Sequence, residues 1–191
     1  MARTARASQG GYVYYVLNRG NGRGDVFHKD EDFAAFVRLM CEASEKVPMR
    51  LVGYCLMTNH FHLVLWPHRD GDLSRWMQWL MTSHVRRYHR HYKGSGHVWQ
   101  GRFKAFPIQN DEHYLTVLRY VERNSLRANL VEKSQDWEWS SLNPSLRSGL
   151  KDKNGDRHRR RSQSPFSKKV VWTFKDFRRF GNSLPVAMIV E

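Results

Sequence analysis

Two histidines one residue apart, His60 and His62, lie in the apolar run 56–66. Side chains at i and i+2 of a strand point to the same face, so both imidazoles project together while Phe61 and Leu63 turn to the opposite, buried side. Two imidazoles on one rigid strand are half of a divalent-metal site, able to orient a cation and leave coordination positions open for a substrate phosphate. The plain alternative is a pair of polar residues on the solvated face of an edge strand.

A second element bears on that choice. Residues 111–124 open at an Asn or Asp cap and place apolar residues at 114, 115, 117, 118 and 121, the i, i+3, i+4, i+7 pattern of a helix packed on a core. At ~100° per residue, Tyr114, Leu118 and Val121 fall near the centre of the apolar stripe. His113, Tyr120 and Asn124 cluster on its flank. Tyr114 is therefore read as a core residue. Tyr120 and Asn124, four apart, share a border face where a phenol and an amide can meet a ligand held by the sheet. Taken alone, they also read as a boundary tyrosine and a helix-ending residue.

Taken together, the pieces resemble a family. The segments 54–63 (YCLMTNHFHL), 97–103 (HVWQGRF) and 119–131 (RYVERNSLRANLV), preceded by 16–21 (VLNRGN) and Val26-Phe27, occur in order over residues 10–143. They resemble the single-strand DNA transposases of the HUH type, and among these the REP-associated tyrosine transposases, relatives of the small insertion-sequence transposases. The resemblance implies that His60 and His62 are metal ligands, that Tyr120 is the nucleophile, and that Asn124 completes the metal site one helical turn later. Insertion-sequence relatives often carry Gln at that last place, and a Pro commonly follows it where this chain has Ser125. The implied partners are single-stranded DNA hairpins, repetitive extragenic palindromes with a short guide sequence beside them. The turn carrying Asn18, Arg19, Asn21 and Arg23 would contact the guide, or else serve as a glycine-rich connector. A monomer is expected, with a dimer as the alternative, because the insertion-sequence relatives act as dimers while the REP-associated branch works as a monomer.

The chemistry can be argued without the name. A phenol with a pKa near ~10 attacks a phosphodiester only if it is deprotonated in the site and the phosphate oxygens are polarised. A cation on His60, His62 and Asn124 would supply that polarisation and align the in-line displacement. Tyr120 would end joined to the 5′ phosphate, leaving a free 3′ hydroxyl, and the stored bond would permit rejoining. Mg²⁺ or Mn²⁺ is the expected ion, since a structural zinc site wants four closed nitrogen or sulfur ligands.

Charge bounds the partner. Lys and Arg number 32 against 18 Asp and Glu, a net charge of +14, the electrostatic signature of a polyanion binder. Arg86, Arg87 and Arg90, with Lys93, are read as phosphate contacts or as a solvated helix face; Arg102 and Lys104 form a second basic cluster. Trp76, at the apolar period of the helix that carries the first cluster, is read as core. Of the remaining histidines, His113 is the candidate for a proton-transfer or supporting role because it shares the flank of Tyr120.

The elements that must position these groups are a strand at 11–18, helix 31–46, strands 50–56 and 60–66, helix 72–92, strand 102–108 and helix 111–124. That order is α+β, the ferredoxin-like split βαβ shared with RRM-like domains, an antiparallel sheet with helices on one face and the other left for ligands. The link 57–59 puts His60 and His62 on a central strand. Residues 1–143 are predicted to form the transposase domain, and 144–191 a basic, partly flexible C-terminal extension in which order returns near 170–180. No run approaches ~18 apolar residues and the start lacks a signal-peptide core, so the expected place is the cytoplasm, on the nucleoid. Cys41 and Cys55 show no metal spacing and read as buried thiols.

A non-catalytic module binding single-stranded DNA or RNA hairpins through an RRM-like sheet is the alternative. It calls for paired aromatics on the open sheet face, where strand 60–66 instead presents histidines. A hairpin binder that has lost cleavage is a third possibility, and all the proposed catalytic groups are present.

Overall fold

Strand parity organises the molecule. The computed structural model describes residues 8–109 and 111–143, so the expected extension 144–191 lies outside the described residues. Four antiparallel strands, β1 (Tyr14–Arg19), β2 (Met49–Met57), β3 (His60–Pro67) and β4 (Lys104–Pro107), pair in the order β2-β3-β1-β4. Helix α1 (Asp30–Lys46) connects β1 to β2, and α2 (Asp72–Tyr92) connects β3 to β4. This is the split βαβ layout read from the sequence, with β3 central between β2 and β1.

On one face Tyr14 and Val16 of β1, Leu51 and Leu56 of β2, and Phe61, Leu63 and Leu65 of β3 form a core with Phe36 and Met40 of α1 and Trp76, Met77 and Leu80 of α2. Trp76 is fully buried and its indole N–H donates to Ser44 Oγ at 3.0 Å.

The second face is not left bare, as the sequence reading had it. Helix α3 (Asp111–Glu122) crosses β2 and β3, burying Tyr114 and Val121 against Cys55, Met57 and Val64. Gly53 permits the close approach, because a Cβ built there would stand 2.6 Å from Leu118 Cδ1. Leu115, counted in the apolar pattern, is solvent-exposed instead. Among the described residues, α3 packs mainly on β2 and β3 rather than on β1 and β4.

The ends of α3 are tied to the same sheet. Just before it, Ile108 N–H donates to the Val13 carbonyl at 2.8 Å. After it, Trp137 Nε1 donates to the Leu56 carbonyl at 2.8 Å, Leu56 N–H to Trp139 O at 2.9 Å and Ser141 N–H to Tyr54 O at 2.9 Å. These bonds also occupy the outer edge of β2, an edge that would otherwise present unpaired backbone groups.

Element bounds differ from the sequence reading for local reasons. The first strand starts at Tyr14 because Gly11, at φ 82°, carries a turn. The last strand is short, Lys104–Pro107, with Ile108 adding one further bond to Val13. The helix expected over 111–124 is interrupted at Arg123 (φ −97°, ψ 5°), so Asn124 opens a short helix α4 (Asn124–Arg127) rather than closing α3. Among the described residues, no helix is long and apolar enough to cross a membrane.

Candidate functional site

Register fixes what meets on the second face. His62 pairs with Leu17 of β1 and Cys55 of β2, His60 with Arg19 and Met57, Tyr15 with Val64 and Phe106, and Leu17 also with Lys104. Paired residues share a face. Histidines 60 and 62, Tyr15, Arg19, Lys104 and Phe106 therefore all stand on the side that α3 partly covers.

The two imidazoles lie edge to face with ring centres 4.8 Å apart. Burial pushes His60 down to about 4, helped by the Arg19 charge, and pushes His62 down to about 3, helped by His60 and Arg19. Both rings are neutral at pH 7, the form that ligates a metal. Asn59 Oδ1 can only accept, so the 2.6 Å contact is donated by His60 Nδ1–H and leaves Nε2 as the acceptor nitrogen. Asn59 is itself held, its Nδ2 donating to the Arg23 carbonyl at 2.9 Å. On His62, Nδ1 meets Tyr15 Oη at 2.6 Å, while Nε2 is buried without a partner.

Tyr120 reaches this pair from α3. Its ring stands edge-on to His62 at 5.8 Å between centres and to Tyr15 at 6.2 Å, and 40% of its surface is exposed, enough for a strand to approach. The guanidinium of Arg127 on α4 lies over the same ring. Tyr114, by contrast, is a core residue with 4% exposure. Asn124 Nδ2 donates to the Tyr120 carbonyl at 3.0 Å, which leaves Oδ1 as the oxygen a cation would take.

These donors fit a divalent ion: two neutral imidazoles, one carrying an orphaned buried nitrogen, with the Asn124 amide, anchored on the Tyr120 carbonyl, offering a further oxygen. Among the described residues no three His, Cys, Asp or Glu side chains converge as a metal site, so amide or substrate oxygens would have to complete the set. Burial raises the Cys55 thiol to about 12.

The expected nucleic-acid residues divide. Arg19 and Lys104 are exposed on the site face, and Asn21, Arg23 and Arg102 are exposed around the turn beside it. Asn18 needs correcting as a guide contact: it is buried, its Nδ2 donating to Gly101 O at 3.0 Å and its Oδ1 accepting from Arg19 N–H at 2.9 Å. Its amide shapes the turn. Arg86, Arg87 and Arg90 belong to α2, in the layer behind the sheet. Arg87 is drawn into an ion pair with buried Asp32 at 3.3 Å, whereas Arg86 and Arg90 are exposed. His113 Nδ1 accepts from Gln109 N–H at 3.4 Å, two helical turns from Tyr120.

Three residues escaped the sequence reading. Tyr15 and Phe106 come from strands distant in sequence, and their shared face with His62 appears only once β1 is paired. Arg127 lies in α4, past the break at Arg123 and beyond the helix expected at 111–124.

Fold and site together define a ferredoxin-like α+β domain that sets a histidine pair and a tyrosine against each other on one sheet face. The chain belongs to the IS200-like transposase family, whose model matches residues 9–124. A Haemophilus influenzae protein named as a REP-associated tyrosine transposase is 25% identical over 150 residues, covering 73% of this chain and 83% of that protein. A solved REP-associated tyrosine transposase bound to a REP hairpin superposes with a TM-score of 0.58 at 20% identity, covering 86% of this chain and 96% of its own.

Proposed function

We propose that this chain is a metal-dependent tyrosine transposase that binds single-stranded DNA hairpins of the REP type, cuts one phosphodiester through a 5′-phosphotyrosine and rejoins strands. The observation that carries this reading is the convergence of Tyr120 on the neutral His60–His62 pair, with ring centres 5.8 Å apart at His62. The hairpin in the complex of similar fold supports the choice of substrate. Acting on DNA with a net charge of +14, the chain would work on the nucleoid, in the cytoplasm.

His60 and His62 would hold Mg²⁺ or Mn²⁺ through Nε2, and Asn124 through Oδ1. When bound, the ion supplies Lewis-acid polarisation of a non-bridging phosphate oxygen. Tyr120 Oη then attacks phosphorus, losing its proton to solvent as the P–O3′ bond breaks and the departing 3′ oxygen is protonated. The 5′ phosphate stays on Tyr120. Attack by a 3′ hydroxyl on that phosphotyrosine reverses the bonds and joins strands.

The rest of the face receives the strand. Arg19 and Lys104 offer charge to the backbone, and Phe106 offers a ring on which an unpaired base can stack. Phe106 is 49% exposed and already stacked on Tyr15 at 6.2 Å. A labelled single-stranded hairpin incubated with the protein and Mn²⁺, then run on a denaturing gel, tests the proposal. A protein-linked 5′ end is expected, and its absence at every divalent ion tried would sink the reading.

A further inference from the structure

The contact between Tyr15 and His62 decides which imidazole nitrogen stays bare. With its proton on Nε2, His62 would bury an N–H that has no acceptor, a costly arrangement. With its proton on Nδ1, the ring donates to Tyr15 Oη across 2.6 Å and leaves only a lone pair on the buried nitrogen. That lone pair is what a cation takes.

Once Tyr15 accepts from His62, its own O–H must point elsewhere. Tyr120 stands beside it, edge-on with ring centres 6.2 Å apart, and offers a hydroxyl oxygen. The position is well anchored: β1 pairs at Tyr15 with Val64 on one side and Phe106 on the other. The Tyr15 ring is stacked within 9° of the His62 plane. Asn59 plays the matching part for His60, so each imidazole has its own partner.

We propose that Tyr15 is a positioning residue whose hydroxyl accepts the Nδ1 proton of His62, turning the Nε2 lone pair to the metal position, and donates its own hydrogen bond to the Tyr120 oxygen. This rests on the metal and nucleophile roles proposed above. It ties ligand geometry and nucleophile placement to one hydroxyl, so the two should be lost together.

The test is Tyr15→Phe, which deletes the hydroxyl and keeps the stacked ring. Ring ¹⁵N shifts of His62 in the metal-free protein report its tautomer: Nδ1–H is expected in the wild type, and Nε2–H or an exchanging mixture in the variant. Mn²⁺ affinity by calorimetry should fall about 10- to 100-fold, and the cleavage rate constant should fall while hairpin affinity is unchanged. Wild-type His62 protonated on Nε2 overturns the assignment, as does a variant with unaltered tautomer and Mn²⁺ affinity. If the variant folds poorly, the wild-type ring shifts decide alone. A wild-type protein with Nδ1–H His62 that takes up no Mn²⁺ marks a different failure, overturning the proposed function and with it the role of Tyr15 toward a metal.

Discussion

The guanidinium carbon of Arg127 lies 5.3 Å from the centre of the Tyr120 ring. A cation over an aromatic face at an exposed site contributes about 0.5–1 kcal/mol, enough to favour one ring orientation. With His62 and Tyr15 meeting the same ring edge-on, the phenol is bracketed from three elements before any DNA arrives.

Tyr120→Phe should therefore abolish covalent linkage to a hairpin oligonucleotide while leaving its binding intact. Tyr114→Phe, in the core beneath α3, should keep linkage. A denaturing gel of labelled oligonucleotide against both variants separates them, and the reverse pattern would mean that the nucleophile has been misassigned.

His62→Ala removes the buried imidazole whose Nε2 has no protein partner. Calorimetric Mn²⁺ binding should drop to background and cleavage should stop at every Mn²⁺ concentration. Hairpin affinity, which we propose rests on Arg19, Lys104 and the exposed rings, should change little. Persistent Mn²⁺-stimulated cleavage in this variant would place the metal elsewhere.

Phe106 is exposed and lies two strands from His62 on the same face. Phe106→Ala should weaken binding of a hairpin with a single-stranded flank by about 1–3 kcal/mol, the range for base stacking on an aromatic ring, and Phe106→Trp should restore it. A hairpin without the flank should not distinguish the variants. Equal losses on both substrates would make Phe106 structural rather than a stacking platform.

Acid should destabilise the fold through its buried histidines. His84 sits among the rings of Phe27, Phe36 and Trp99, and burial pushes it down to about 3, with the Arg87 charge adding to the shift and Asp32 opposing it. Between there and its ordinary 6.5 the unfolded chain holds a proton that the folded chain refuses. Stability therefore falls as pH drops through this window, by up to about 1.4 kcal/mol per pH unit for each such group. Urea unfolding at pH 7 and pH 5 measures it, and His84→Leu should give the shallower dependence.

Much of this was legible in the sequence because period-2 and period-3.6 patterns are local. The parity of Phe61, His62 and Leu63 set two faces, the short link 57–59 made a hairpin, and the flank of residues 111–124 held Tyr120 apart from buried Tyr114. What stayed hidden depended on pairing between distant residues. Phe106 joins Tyr15 through the β1–β4 register, and Arg87 meets Asp32 across 55 residues. The covering of the second face followed from Gly53 admitting Leu118, a relationship no periodicity announces. Asn18 misled because a polar residue beside glycines looks free until Gly101 is found within its reach.

The moorings of α3 bear on how many molecules make one catalyst. Ile108 fastens the helix ahead of Tyr120, and Trp137, Trp139 and Ser141 fasten the chain behind it, all onto strands of the same polypeptide. Within one copy the phenol and the imidazoles already meet, so we propose that they act in cis. Mixing His62→Ala with Tyr120→Phe protein should accordingly rescue nothing, and restored linkage would show that the two groups come from different copies.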